Sequence, residues 1–303
     1  MSTNPILITG GTGFLGGALT RLLLQKNYSV TVLSRSAEKV ANQFGNQVQA
    51  VTRIADLPDA GSCKAVVNLA GAGIFDQRWT SARKQTLRDS RIKLTEQLVT
   101  WMAASSQPKP VLVNGSAIGI YGDQGDTPLN ENSLSKTDFS QQLCADWEST
   151  ALQAENAGSR VCLIRTGLVL GKDGGILKRM LLPFRLGLGG RLGDGQQWMS
   201  WIHLHDWLAI VEAMISNPEM SGPYNATAPT PVSNREFSEV LAQVLNRPML
   251  LPMPAVLLKG LLGEMAELVL GSQRVLPKRL TAQGFGFAYP QLDAALRNIL
   301  ITP

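Results

Sequence analysis

The stretch Thr9-Gly10-Gly11-Thr12-Gly13-Phe14-Leu15-Gly16 constrains this chain more than any other. It lies between a short apolar run, Ile6-Leu7-Ile8-Thr9, and a helical pattern from Gly16 to Lys26. Each glycine has its own task in such a turn: Gly10 permits the tight bend, Gly13 lets backbone approach a pyrophosphate, and Gly16 lets the helix pack closely on the strand. Phosphates then meet unpaired N–H groups at a helix N-terminus, where the macrodipole favours negative charge. A glycine fingerprint alone is weak, but here its context is complete: strand before, helix after, and a second strand, Val30-Thr31-Val32-Leu33, about twenty residues on. Gly10, Gly11, Thr12, Gly13, Phe14, Leu15 and Gly16 are therefore expected to hold the phosphates of a dinucleotide.

The end of the second strand selects which dinucleotide. An acid there accepts from the ribose 2′-OH of NAD, whereas a basic residue accommodates a 2′-phosphate. The chain reads Leu33-Ser34-Arg35-Ser36, with no acid before Glu38. The planar fork of Arg35, with Ser34 and Ser36 as neutral donors, points to NADP(H).

Strand-like runs alternate with helical patterns through the first two thirds, as a parallel sheet requires. Ala65 to Leu69 is a continuous apolar run of the kind buried on both faces. Trp79 to Ala104 reads as one long helix with an irregular entry, Val111 to Asn114 as a strand, Phe139 to Ala157 as helix and Val161 to Thr166 as strand. The glycine-rich section Leu186 to Gly195 reads as a loop beside a ligand. Ser233 caps a helix through Leu245, and Pro254 to Leu270 reads as a core-facing amphipathic helix. The expected architecture is α/β: a Rossmann-type, doubly wound parallel sheet over residues 1–225, with 172–200 contributing to the substrate side, and a smaller, mainly helical C-terminal lobe over 226–303.

Composition excludes several classes. A net charge of +5 is modest, and its densest stretch, Arg83, Lys84, Arg88, Arg91 and Lys93, falls at helical spacing with Asp89 and Glu96 among them, so a solvated helix face is expected rather than a nucleic-acid patch. Three scattered cysteines, Cys63, Cys144 and Cys162, form neither a disulfide framework nor a metal site and suit a reducing compartment. The chain offers no signal peptide and no apolar run of about 20 residues, so a cytoplasmic protein without a membrane partner is expected. The expected partner is a small-molecule substrate, with the chain a monomer or homodimer.

Together the motifs resemble the extended short-chain dehydrogenase/reductase superfamily, and more closely its atypical branch of "epimerase family" proteins with a C-terminal domain of unknown function. The resemblance rests on the glycine loop, Asn68-Leu69-Ala70-Gly71, Gly115 to Gly122, Arg165 to Gly171, Trp201 to Asp206 and Gly222-Pro223-Tyr224-Asn225. The branch-specific pieces are Arg78-Trp79-Thr80, Ser90-Arg91, Pro183 to Gly190 and Pro277-Lys278-Arg279. It implies that Leu69, Ala70 and Gly71 also border the cofactor.

The superfamily's acid/base set is a Ser/Thr, a Tyr and a Lys four residues after it. By resemblance these positions fall on Ala117, Ser140 and Cys144, and a usual structural Asn falls on Arg91. No Tyr-x-x-x-Lys occurs: the four tyrosines are Tyr28, Tyr121, Tyr224 and Tyr289. Substitute catalytic candidates are Tyr121 first and Ser116, with His203 and Tyr224 behind them. Cys144 is expected to be a small core residue rather than a thiolate, and His203 and Asp206 structural partners. Arg78, Trp79, Phe184, Trp201 and His203 are expected to line the substrate pocket, as apolar walls with a few polar groups usually do. Two classes of function stay open: an NADP(H)-dependent oxidoreductase or nucleotide-sugar-epimerase-like enzyme with an atypical acid/base group, and a redox sensor or regulatory protein that binds NADP(H) without turnover.

Overall fold

The structure is a computed structural model and describes residues 5–301. Seven short parallel strands form the central sheet: β1 (Ile6–Thr9), β2 (Val30–Leu33), β3 (Val48–Val51), β4 (Ala65–Asn68), β5 (Val111–Ala117), β6 (Val161–Thr166) and β7 (Gly222–Ala226). Their order is β7-β6-β5-β4-β1-β2-β3, so strand order reverses at β1, between β2 and β4. A doubly wound sheet opens a crevice at that carboxyl edge.

Alternation along β1 shows how the layers form. Ile6 and Ile8 point into a core shared with α1 (Phe14–Gln25), α2 (Ala37–Phe44) and α7 (Leu204–Ser216), while Leu7 points the other way. That opposite core is filled by Leu98 and Met102 of α4 (Ile92–Ala104) and Ala151 of α5 (Phe139–Leu152). Each fully buried Leu in these layers contributes about 1.5–3 kcal/mol. A second core joins α6 (Gly175–Arg185), α8 (Asn234–Val244) and the last helix, Leu292–Leu300, around Phe184, Trp201 and Phe237. The C-terminal segment also returns to the sheet: Arg274–Val275 pairs with Pro128–Leu129, and helix Lys278–Ala282 packs on β7.

Two helical expectations change. The single helix over Trp79 to Ala104 is two, α3 (Ser81–Asp89) and α4, broken at Ser90-Arg91. Ser90 Oγ donates to the Leu87 carbonyl and accepts from the N–H of Ala72, so the break is tied to the loop after β4. The segment Pro254 to Leu270 is not one helix, and its first helix covers only Ala255–Leu262. Gly263, at φ +60°, ends it in the left-handed region, and a 3-10 turn and a short helix follow. This helix buries Leu258 and leaves Val256, Leu257 and Leu261 exposed. No described helix is long and apolar enough to cross a membrane.

Candidate functional site

Side-chain-free backbone is a requirement of the β1–α1 turn. Gly10 has φ +69°, and a Cβ there would lie 2.8 Å from the Leu69 carbonyl carbon; one on Gly16 would lie 2.3 Å from the Gly10 oxygen. The loop after β4 is held against this turn by Thr9, whose Oγ1 accepts from the N–H of Leu69 and Ala70. Thr9 donates in turn to Asn68 Oδ1 (2.6 Å), and Asn68 Nδ2 donates to Thr95 Oγ1 (2.8 Å) and Asn114 Oδ1 (2.7 Å). This buried network fixes the ends of β1, β4 and β5 relative to one another, because every member has its partner.

Helix α1 begins at Gly13 with no side-chain cap and no acid in its first turn. The N–H groups of Phe14, Leu15 and Gly16 find no acceptor among the described residues. Open amides at a helix start, beside a turn that excludes side chains, suit a diphosphate. Past β2, Ser36 caps α2 by accepting from the N–H of Lys39, and Ser34 Oγ donates to the Ser36 carbonyl. Arg35 is exposed and forms no ion pair with a described residue, so its guanidinium is available to a 2′-phosphate.

Beyond β5, a cavity of about 1110 Å³ opens beside α5 and is walled on its far side by Gly193, Asp194 and helix Ala255–Leu262. The three positions that the resemblance equates with Ser/Thr, Tyr and Lys all line it: Ala117, Ser140 and Cys144. A methyl on Gly119 would lie 3.3 Å from Ser140 Cβ and 3.8 Å from Cys144 Sγ, which places both on the turn after β5. Burial, with the Glu148 carboxylate second, pushes the Cys144 thiol up to about 11. At neutral pH the cavity wall thus presents a methyl, a hydroxyl and a neutral thiol at the three positions that the resemblance equates with a hydroxyl, a phenol and an ammonium.

Ser116 also lines the cavity, and its hydroxyl donates to Glu148 Oε1 (2.6 Å). Glu148 is clamped by Arg165 through two parallel bonds, Nε to Oε1 (2.9 Å) and Nη2 to Oε2 (2.8 Å). Both are nearly buried, so the pair is a bidentate ion bridge inside the protein. Burial works against the charge on Arg165, but the Glu148 carboxylate and Tyr121 hold its pKa above the ordinary value.

Tyr121 is fully buried behind this bridge. Its hydroxyl donates to Asn225 Oδ1 (2.6 Å) and accepts from Arg165 Nη1 (3.0 Å). Burial raises the phenol above its ordinary pKa despite Arg165 beside it. The structure therefore places the two catalytic candidates apart, Ser116 on the cavity wall and Tyr121 in the network behind it. Tyr224, also fully buried, accepts from Arg279 and Gln283 on the far side of β7.

Arg91 lines the cavity where the resemblance expects an Asn. Its guanidinium donates to the carbonyls of Leu87 and Ala72, lies 5.3 Å from the Trp147 ring centre and abuts Gly71. None of the five expected pocket residues lines the cavity: Arg78 donates to the Gly260 carbonyl and so tethers helix Ala255–Leu262, while Trp79 donates to the Ile74 carbonyl and packs edge-on against Phe139. Phe184 and Trp201 are not brought to the cavity; they are buried in the second core. His203 is not brought there either. It begins α7, its Nδ1 accepts from the N–H of His205, and its ring stacks on Tyr289 at 4.0 Å. Asp206 accepts from the N–H groups of Ala288 and Tyr289, so this pair joins α7 to the C-terminal segment.

Sequence reasoning did not find the roles of Glu148, Arg165 and Asn225. The available signals were a Glu amid the apolar residues of α5 and an Arg ending an apolar strand, since a charge in such a place needs a partner.

Residues 6–227 match the model of the NAD dependent epimerase/dehydratase family, and residues 253–299 match a domain of unknown function, DUF1731. The Arabidopsis thaliana protein called "Epimerase family protein SDR39U1 homolog, chloroplastic" is 42% identical over 99% of this chain and 87% of its own length. Epimerase family protein YfhF of Bacillus subtilis (strain 168) is 36% identical over 97% of both. The crystal structure of human epimerase family protein SDR39U1 (isoform2) with NADPH superposes with a TM-score of 0.90 at 32% identity, covering 99% of this chain and 100% of that one. A UDP-glucuronic acid 4-epimerase from Bacillus cereus, at 16% identity and TM-score 0.76, shares the fold. On the match over 6–227 and these relatives, the chain belongs to the NAD dependent epimerase/dehydratase family.

Proposed function

We propose that this protein binds NADPH and carries out hydride chemistry, as an oxidoreductase or epimerase-like enzyme, on a small molecule held in the cavity beside β5. The observation that carries the cofactor reading is the open start of α1, where three amides lack acceptors beside a turn that admits no side chain. Gly10, Gly11, Thr12, Gly13, Phe14, Leu15 and Gly16 would hold the diphosphate, Ser34 and Arg35 the 2′-phosphate, and Leu69 to Gly71 would border the remaining ribose. The NADPH in the human relative's structure supports the choice of nucleotide. The cofactor would supply or accept a hydride; the protein contributes binding, orientation and electrostatics.

On the cavity wall, Ser116 is the catalytic group of this reading and acts by positioning. Its proton is directed at Glu148, so its outward lone pair accepts a hydrogen bond from a substrate hydroxyl. Arg165 fixes Glu148 through its two parallel bonds, which holds that polarity in place. Tyr121, buried and doubly engaged, serves this network rather than the substrate. The three cysteines are all free and buried, in keeping with a reducing, cytoplasmic setting.

A second reading, NADPH binding without turnover as a redox sensor, is supported by Ala117, Ser140 and Cys144 at the three acid/base positions. Titration with NADPH and NADH, followed by nucleotide fluorescence, tests the shared premise: tight NADPH and weak NADH are expected, and no binding of either removes both readings. NADPH oxidation against a panel of carbonyl and sugar-nucleotide compounds then separates them. Turnover that falls in Ser116→Ala, with NADPH binding unchanged, supports the enzyme; binding with no turnover across the panel supports the sensor.

A further inference from the structure

Among the described residues, eleven large apolar side chains are exposed, and eight of them belong to two segments that touch. Leu182, Leu186 and Leu188 come from α6 and the turn after it; Leu250 and Leu251 come from the strap before helix Ala255–Leu262. Val256, at 83% exposed, projects from that helix with Leu257 and Leu261. The segments are joined by Arg247 Nε donating to the Arg185 carbonyl and by the N–H of Met253 donating to the Arg191 carbonyl. They therefore present one surface, and a monomer rarely leaves so many apolar side chains together in water without a use for them.

Within these two segments the charged side chains are all cationic. Residues 174–193 and 240–263 contain no Asp or Glu. They contain Lys178, Arg179, Arg185, Arg191, Arg247 and Lys259, and of these only Arg179 has a carboxylate partner, Asp76 at 3.6 Å. An isologous contact between two copies would set these cations against the same cations, with no acid from either segment to offset them. An anionic lipid surface offers what both components of this face lack, an apolar layer beneath a sheet of negative charge.

We infer that this face docks peripherally on anionic membranes, the exposed leucines entering the headgroup boundary and the lysines and arginines pairing with lipid phosphates. The expectation of no membrane partner rests on the lack of a spanning segment and does not bear on such a face. Ala255 and Lys259 of the same helix line the cavity, so docking brings one wall of the cavity next to the lipid.

Flotation of the full chain with phosphatidylcholine vesicles, with and without phosphatidylglycerol, tests this. Binding at least roughly tenfold stronger to the anionic vesicles is expected, weakening as salt is raised. Leu257→Asp with Val256→Asp, and separately Lys178→Glu with Arg185→Glu, should each abolish the preference. Leu134→Asp, an exposed leucine outside both segments, should leave it intact, and unchanged circular dichroism and NADPH titration show that the variants fold. Equal binding to both vesicle types, or none, overturns the inference. So does a wild-type dimer that the Leu257→Asp variant splits while vesicle binding is absent, which would give the face to a second copy.

Discussion

At the carboxyl end of β1 the crevice is lined by backbone, whereas beyond β5 the cavity wall is backed by buried side chains that hold one another. In the first region Gly10 and Gly16 leave no room for a Cβ, and the donors on offer are amides of α1. In the second, Ser116, Glu148, Arg165, Tyr121 and Asn225 form an unbroken chain of hydrogen bonds through the interior. A site of backbone tolerates almost no substitution but asks little of distant sequence. A site of buried, paired side chains fails when any one partner is removed, because the other is left charged or unsatisfied away from water.

The largest effect should therefore come from the side-chain region. Glu148→Ala leaves Arg165 buried without its carboxylate and should cost about 3–5 kcal/mol of stability in urea unfolding. A loss below about 1 kcal/mol would mean that water reaches the bridge and would erase the contrast.

The other side-chain centre, His203, should be legible in the pH dependence. Burial, only partly offset by Asp206, lowers its pKa to about 4. The unfolded chain binds this proton near pH 6.5 and the folded one not until about 4, so stability from neutral His203 is complete above pH 6.5 and falls as pH drops through that window. The loss approaches about 3 kcal/mol. Neutral His203 is also what the geometry needs, since Nδ1 must accept from His205. Urea midpoints for wild type and His203→Gln between these pH values check this: the variant's dependence should be flatter, and an identical slope would remove His203 as its source.

In the backbone region, Gly16→Ala should cost about 2 kcal/mol, since the added methyl meets the Gly10 carbonyl, and NADPH affinity should fall with it. Differential scanning alongside nucleotide titration reads both, and unchanged affinity would show that the turn is not the phosphate cradle. The smallest effect belongs to Arg35→Ala: roughly tenfold weaker NADPH, or about 1.4 kcal/mol, with NADH and thermal stability unchanged. An equal loss for both nucleotides would place Arg35 away from the 2′-phosphate.

The glycine turn, β1, β2, β6, the Ser233 cap and the parallel alternation were legible because each is written within a few residues, as periodicity or as a backbone conformation few side chains permit. The break at Ser90-Arg91 was not, since it depends on Ser90 meeting Ala72 across a loop. Nor was the exposed face of helix Ala255–Leu262, since apolar periodicity marks a helix without stating which neighbours cover it.

Local sequence suffices for the doubly wound sheet, the glycine turn at its carboxyl edge and the absence of any Tyr-x-x-x-Lys. That Ser116 faces the cavity, that Tyr121 stands behind it, and that Phe184, Trp201 and His203 serve packing follows from long-range contacts. Those outcomes depend on pairings such as Tyr121 with Asn225, 104 residues apart, and Ser116 with Glu148, 32 apart. A hydroxyl or carboxylate carries no local mark of its distant partner; packing of the sheet and its helices selects it.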